Sequence, residues 1–239
     1  MMIATLALLL AAATPAAMPT PASPAAAPAL PAPATSPAAP PAQMNWYWLR
    51  TYQAPERPKA SDAGAAFLAM SFFLVEGRPA IVYPRRAPLI LPPNTYRMAV
   101  VRIDHNEAKF TAAQRAALAR MIAEVPGLTR TQALQIDFDA PQSAWPFYKA
   151  LLADVRRALG PNVFLSITAL ASWCTAGSWM SGLPVDEIVP MFFRMGRQRI
   201  NPPLAFAACQ TSAGISADEP GVHLPRSVKR VYTFQSGAR

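Results

Sequence analysis

From Trp46 onward the chain alternates short apolar runs with polar breaks, and eight of those runs have the length of a β-strand. They fall at 46–49, 66–74, 98–103, 133–138, 163–169, 188–193, about 207–215 and 230–234. Pro190 interrupts the sixth, where a residue without an N–H weakens the ladder. Between the third and fourth runs, Thr111 precedes Gln114 at capping-box spacing, and Phe110, Ala117, Leu118, Met121, Ile122 and Val125 recur at helical intervals. Between the fourth and fifth, Ser143 is placed to cap a second helix. Its apolar face is Phe147, Tyr148, Leu151, Leu152, Val155 and Leu159, and Gly160-Pro161 ends it.

Strand, helix, strand, helix, strand predicts parallel strands joined by right-handed crossovers. Eight such strands predict an α/β fold closed as a (β/α)8 TIM-like barrel. The folded region is shorter than the roughly 250 residues usual for that fold, so some helices must be short or missing. The rival is an open doubly wound sheet, which ordinarily carries a glycine-rich first turn. No G-x-G-x-x-G or Walker sequence occurs here.

Composition changes the picture at the N-terminus, because residues 1–42 contain no Asp, Glu, Lys or Arg and hold 10 of the 27 prolines. Residues 3–13 form an apolar run of signal-peptide size, and Ala11-Ala12-Ala13 supplies a small-x-small cleavage pattern. That run is too short to span a bilayer as a helix. The expected organisation is a signal peptide at 1–13, a Pro/Ala-rich disordered spacer at 14–42 and the barrel domain at 43–239. A periplasmic or secreted protein follows, with no integral membrane span after processing.

All the charge therefore belongs to the barrel domain, where 22 Lys and Arg against 13 Asp and Glu give a net +9. A basic surface attracts polyanions, but Arg85-Arg86, Arg156-Arg157 and Lys229-Arg230 are scattered and no nucleic-acid motif accompanies them. The expected partner is a glycan or an anionic envelope polymer, not nucleic acid. Two His (105 and 223) and two Cys (174 and 209) offer no zinc spacing, so neither a metal nor a cofactor is expected. Spacing leaves open whether the cysteines pair. Ser178 and Ser212 lack a nucleophile-elbow frame.

The sharpest chemical feature is Leu134-Gln135-Ile136-Asp137-Phe138-Asp139-Ala140-Pro141 at the end of the fourth run. Side chains alternate along a strand, so Gln135, Asp137 and Asp139 share one face and Ile136 and Phe138 the other. In a barrel the carboxylates would face the lumen near its C-terminal mouth, where such barrels carry their active sites. Crowded, buried carboxylates raise at least one pKa. The competing reading is a structural network that ties Asp137 to Ser166, Thr168 or Arg194. Other strand ends add Asp104, His105 and Glu107, then Thr168 and Trp173, then Arg194, then Asp218 and Glu219. Polar groups beside aromatics suit sugars. Ordinary packing competes for Trp173 and Trp179, and a loop role for His105. Asp186-Glu187 opens its strand from the opposite end, which favours a structural role.

The stretches LQIDFDAP (134–141), LSITALASWC (165–174), LPVDEIVPMFFRMG (183–196) and GISADEP (214–220) resemble a bacterial family known as domain of unknown function 3142. The resemblance runs from Trp46 to Phe234 and brings no established activity with it. A wider likeness is to the chitinase-like glycoside hydrolase barrels, whose fourth strand ends in D-x-x-D-x-D-x-E. Asp137 and Asp139 match its last two aspartates, Leu134 falls on the first, and Pro141 falls on the general-acid glutamate. Proline cannot protonate a glycosidic oxygen. The likeness implies a barrel with a sugar-type site and counts against that family's substrate-assisted mechanism.

The expectation is an exported glycoside-hydrolase-like barrel acting on or binding a polysaccharide or envelope glycan. Asp137 or Asp139 would stabilise charge at the anomeric carbon, with Glu219 or Glu107 as a replacement acid. Asp104, Thr168, Trp173, Arg194 and Asp218 would bind substrate. The alternative is a non-catalytic envelope protein that keeps the surface for carbohydrate or partner binding.

Overall fold

The structure, a computed structural model, describes residues 37–48, 63–106, 110–176, 179–195, 204–219 and 222–235. The expected leader, most of the spacer, Glu107 and Ser178 lie outside them. Nine strands run in chain order: β1 Gln43–Tyr47, β2 Gly64–Leu74, β3 Ile81–Pro84, β4 Arg97–His105, β5 Ala133–Asp137, β6 Phe164–Leu170, β7 Glu187–Met191, β8 Ser212–Ser216 and β9 Arg230–Gln235. Eight are parallel and close on themselves in the order β1, β2, β4, β5, β6, β7, β8, β9 and back to β1. The remaining strand, β3, pairs antiparallel with the second half of β2 and lies outside the closure.

Every strand of the closed sheet overlaps one of the eight apolar runs, although β1 begins at Gln43, ahead of its run, and residues 207–209 of the seventh run form a 3₁₀ turn. Burial on both faces of the sheet explains why they read as apolar runs and not as alternating ones. β2 shows this best, with nine of its eleven residues buried. One core fills the lumen, where small Ala66 and Ala133 offset Trp46, Phe164 and Tyr232. A second core lies outside, where Val101, Ile136 and Ile167 on neighbouring strands meet the helices.

Two long helices cover part of the barrel among the described residues, α1 Ala112–Thr129 and α2 Trp145–Leu159. Both halves of the Thr111–Gln114 capping box form, and Leu118, Ile122 and Val125 are buried. The Gln114 side chain also donates to the carbonyls of Val75 and Arg78, at 2.7 and 2.8 Å, and so pins the loop after β2. The start of α2 departs from expectation. A 3₁₀ turn at Gln142–Ala144 leads into the helix, its N-cap is Ala144, and Ser143 makes no cap. Asp154 on α2 clamps Arg115 on α1 at 2.8 Å. The later crossovers carry short pieces: α3 Trp173–Ala176 and a 3₁₀ turn at Ala207–Cys209. A disulfide joins Cys174 to Cys209 and settles the question that spacing left open.

The N-terminal end of the lumen is sealed. Glu187 is 6% exposed, and its carboxylate accepts from Ser166 at 2.9 Å, Ser212 at 2.6 Å and Tyr232 at 2.6 Å. Arg230 completes the set. A buried carboxylate is tolerable only with such partners. The same Arg230 bonds the carbonyls of Pro40 and Pro41, and Tyr96 bonds that of Ala38. The segment expected to be spacer up to Ala42 is therefore seated beneath the barrel over its last residues. Among the described residues no helix is long and apolar enough to cross a membrane.

Candidate functional site

At the other end, strand alternation delivers polar side chains to the lumen. Arg102 follows Met98 and Val100 on β4, Asp137 follows Ala133 and Gln135 on β5, and Thr168 follows Phe164 and Ser166 on β6. Arg102 and Asp137 are register partners. The guanidinium donates to Asp137 at 2.6 Å and to Asp104 at 2.8 Å, and reaches Asp139 at 3.5 Å. The Thr168 hydroxyl donates to the other Asp137 oxygen at 2.7 Å. Both oxygens of Asp137 are thus occupied, and the residue is 2% exposed. The Asp139 side chain is 44% exposed and has spare acceptor capacity.

Burial pushes the Asp137 carboxyl above the ordinary aspartate value, with the adjacent Asp139 adding to the shift and Arg102 and Thr168 opposing it. For Arg102, burial acts to lower the value, but the three surrounding carboxylates outweigh it and hold the guanidinium further above its ordinary range. The Tyr148 phenol, behind β5, is pushed up by burial and by Asp137 and Asp139.

These groups form one wall of a cavity of about 450 Å³ at the barrel mouth. The facing wall is aromatic: Trp46, Trp48, Phe193 and Phe234. Phe193 stacks on Phe234 at 5.6 Å, Trp48 meets Phe234 edge-on at 5.9 Å, and the Arg194 guanidinium lies 5.4 Å above Phe234. Trp46 stacks on Tyr232 at 5.1 Å and donates its indole N–H to Gln135 at 2.7 Å. Gln135 donates to Ser166, which donates to Glu187. A continuous bonded floor therefore separates the cavity from the sealed end below.

Of the residues expected at the site, Asp137, Asp139, Thr168 and Arg194 line the cavity. Asp104 acts one step away, through Arg102. Glu219 does not line the cavity; both its carboxylate oxygens accept from the Arg194 backbone N–H at 3.1 Å, which makes it a strut for the rim. Asp218 follows β8, its N–H on the Ser216 hydroxyl at 3.3 Å, and is likewise not part of the lining. Trp173 requires a correction. It is 7% exposed and packs at 5.2 Å against Trp179 and 6.4 Å against Trp145, on the outer side with the helices and not in the cavity. Its position after β6 starts α3 and turns the ring outward. His105 packs edge-on between Phe110 and Phe138. Arg102 and the aromatic wall went unrecognised as site residues. The available signal was Arg102-x-Asp104 and Trp46-x-Trp48, each spaced to share one face of a strand.

Among the described residues, no three His, Cys, Asp or Glu side chains come together to hold a metal ion. Residues 94–191 match the family model of a domain of unknown function, DUF3142. The DUF3142 match runs from just before β4 to the end of β7, and so contains Arg102, Asp137, Asp139 and Thr168. No curated protein matches the chain. A solved structure, the chitinase domain of the spore coat protein CotE from Clostridium difficile, aligns at 12% identity with a TM-score of 0.44. The alignment covers 70% of this chain and 58% of that one.

Proposed function

We propose that this chain is an exported glycoside-hydrolase-like (β/α)8 barrel that takes a polysaccharide or envelope glycan into the mouth cavity. The observation that carries the reading is the pairing of two walls in one cavity. Trp48 and Phe193 offer ring surface for the C–H side of a sugar, with Phe234 packed behind them, and Asp139, Thr168 and Arg194 offer directional partners for its hydroxyls. Asp139 is the carboxylate with capacity left for substrate, so it is the group assigned to the developing positive charge at the anomeric carbon. Asp137, with both oxygens taken, positions Arg102 and through it Asp139. The Cys174–Cys209 disulfide favours an oxidising compartment, in line with the leader.

Non-catalytic binding is the second reading. It is favoured by Pro141 at the general-acid position and by the engagement of Glu219 as a strut. Glycan-array or calorimetric binding to wild type, Trp48→Ala and Asp139→Asn tests the site common to both readings. Retention of a glycan by wild type and its loss from Trp48→Ala is the expected outcome. Equal retention by all three proteins would move the site elsewhere.

A further inference from the structure

The β2–β3 hairpin and the loop after it are not explained by barrel closure. All four residues of β3 are exposed, so the strand buries almost nothing of its own. Ile81, Val82, Tyr83 and Ile90 are 38–50% exposed, and they are four of the six large hydrophobic side chains exposed among the described residues. Alternation along β3 puts Ile81 and Tyr83 together on one side of the strand and Val82 on the other, and exposed apolar side chains held side by side mark an interaction surface. The segment is held in a fixed shape. Gln114 bonds its carbonyls from α1, and the Arg85 N–H donates to Ala69 at 2.8 Å. Exposed Arg78 and Arg86 flank the apolar residues, with partly buried Arg85 beside them and Glu76 as the one acid between residues 75 and 93.

We propose that this hairpin docks the barrel on an anionic lipid surface. Three occupants compete. A second copy pairing edge to edge would meet Pro84, which lacks a donor, and would bring the Arg85-Arg86 pairs of two copies together. A soluble anionic polymer would use the arginines but gain nothing from Ile81, Tyr83 and Ile90. A lipid surface uses both, receiving the apolar side chains at the headgroup boundary while the arginines meet anionic headgroups. Ser71 is the register partner of both Tyr83 and Arg102, so the hairpin stands level with the ion cluster. Docking there holds the mouth beside the lipid surface.

The test is co-sedimentation of the full chain with phosphatidylglycerol/phosphatidylcholine vesicles and with phosphatidylcholine vesicles alone. Wild type is compared with Ile81→Ser/Tyr83→Ser/Ile90→Ser and with Arg78→Glu/Arg86→Glu. All these side chains are exposed, and unchanged circular dichroism confirms the fold of each variant. The expected result is binding to the anionic vesicles alone, reduced about tenfold or more in each variant and weakened by salt. Equal binding by wild type and both variants would assign it to the leader and overturn the proposal. Absence of wild-type binding, or equal binding to phosphatidylcholine, would also overturn it. So would a concentration-dependent dimer lost in the apolar variant without vesicle binding.

Discussion

Arg102 on β4 and Asp137 on β5 face each other in register and join at 2.6 Å across the lumen wall, with Asp137 2% exposed. This pair fixes the polar side of the cavity, because the same guanidinium also holds Asp104 and reaches Asp139. Arg102→Ala would take the counterion from buried Asp137 and leave its carboxyl either charged and unpaired or driven to take up a proton, at a cost of up to about 3–5 kcal/mol. Arg102→Lys keeps the charge but not the fork, and should lose less. Urea unfolding of both variants checks the ordering. Equal stability of Arg102→Ala and wild type would refute the assignment.

The fold was legible because burial on both faces of a closed parallel sheet leaves apolar runs that periodicity can find, and because Thr111 and Gln114 mark a helix start with two specific bonds. β3 escaped notice because Ile81–Pro84 is short, sits among prolines and packs into no core. The acidic half of the site was legible from alternation through Gln135, Asp137 and Asp139. Its basic and aromatic halves were not. Arg102 lies inside an apolar run, where a long cation gives no hint of whether it snorkels to water or enters the lumen. Trp173 sits after a strand end in sequence, but α3 turns it outward. Cys174 and Cys209 approach only because α3 and the 3₁₀ turn before β8 fold onto one another.

Gly214 faces the ring of Trp46, and a Cβ there would lie 2.7 Å from it. Gly214→Ala should displace the indole, break its bond to Gln135 and destabilise the barrel by about 1–3 kcal/mol. The expected readouts are a changed near-UV circular dichroism spectrum and weaker glycan binding. A spectrum identical to wild type would show that the floor tolerates the methyl group.

The disulfide closes a loop of sequence separation 35 and ties α3, just beyond the cavity residues Ala171 and Ser172, to the turn before β8. Cys174→Ala/Cys209→Ala should lose about 3–4 kcal/mol of stability on the loop-entropy scale. Thermal unfolding with and without reductant measures it. An unchanged midpoint in the double variant would contradict this role.

Two aspartates should respond to pH with opposite sign. Burial raises Asp137 above 3.8, so the folded protein holds that proton more tightly than the unfolded chain. Its contribution to stability therefore rises as pH falls from its folded value towards 3.8 and is constant below that. Hydrogen bonds from Arg115 and Arg157 lower Asp154, so its contribution is present above 3.8 and is lost as pH falls through its folded value. Unfolding midpoints across pH for wild type, Asp137→Asn and Asp154→Asn should show wild type gaining on the first variant, and losing its advantage over the second, as acid is added. Slopes of the reverse sign would contradict both assignments.

Action of the mouth cavity on a glycan through Asp139 is the activity proposed for this barrel. It is tested most directly by release of reducing sugar from a panel of structural and envelope glycans by wild type and Asp139→Asn, with binding recorded in parallel. Wild type should release sugar from at least one glycan, and Asp139→Asn should lose about 100-fold or more of that activity with binding largely kept. Equal release by the two proteins, or no release by either, would contradict it.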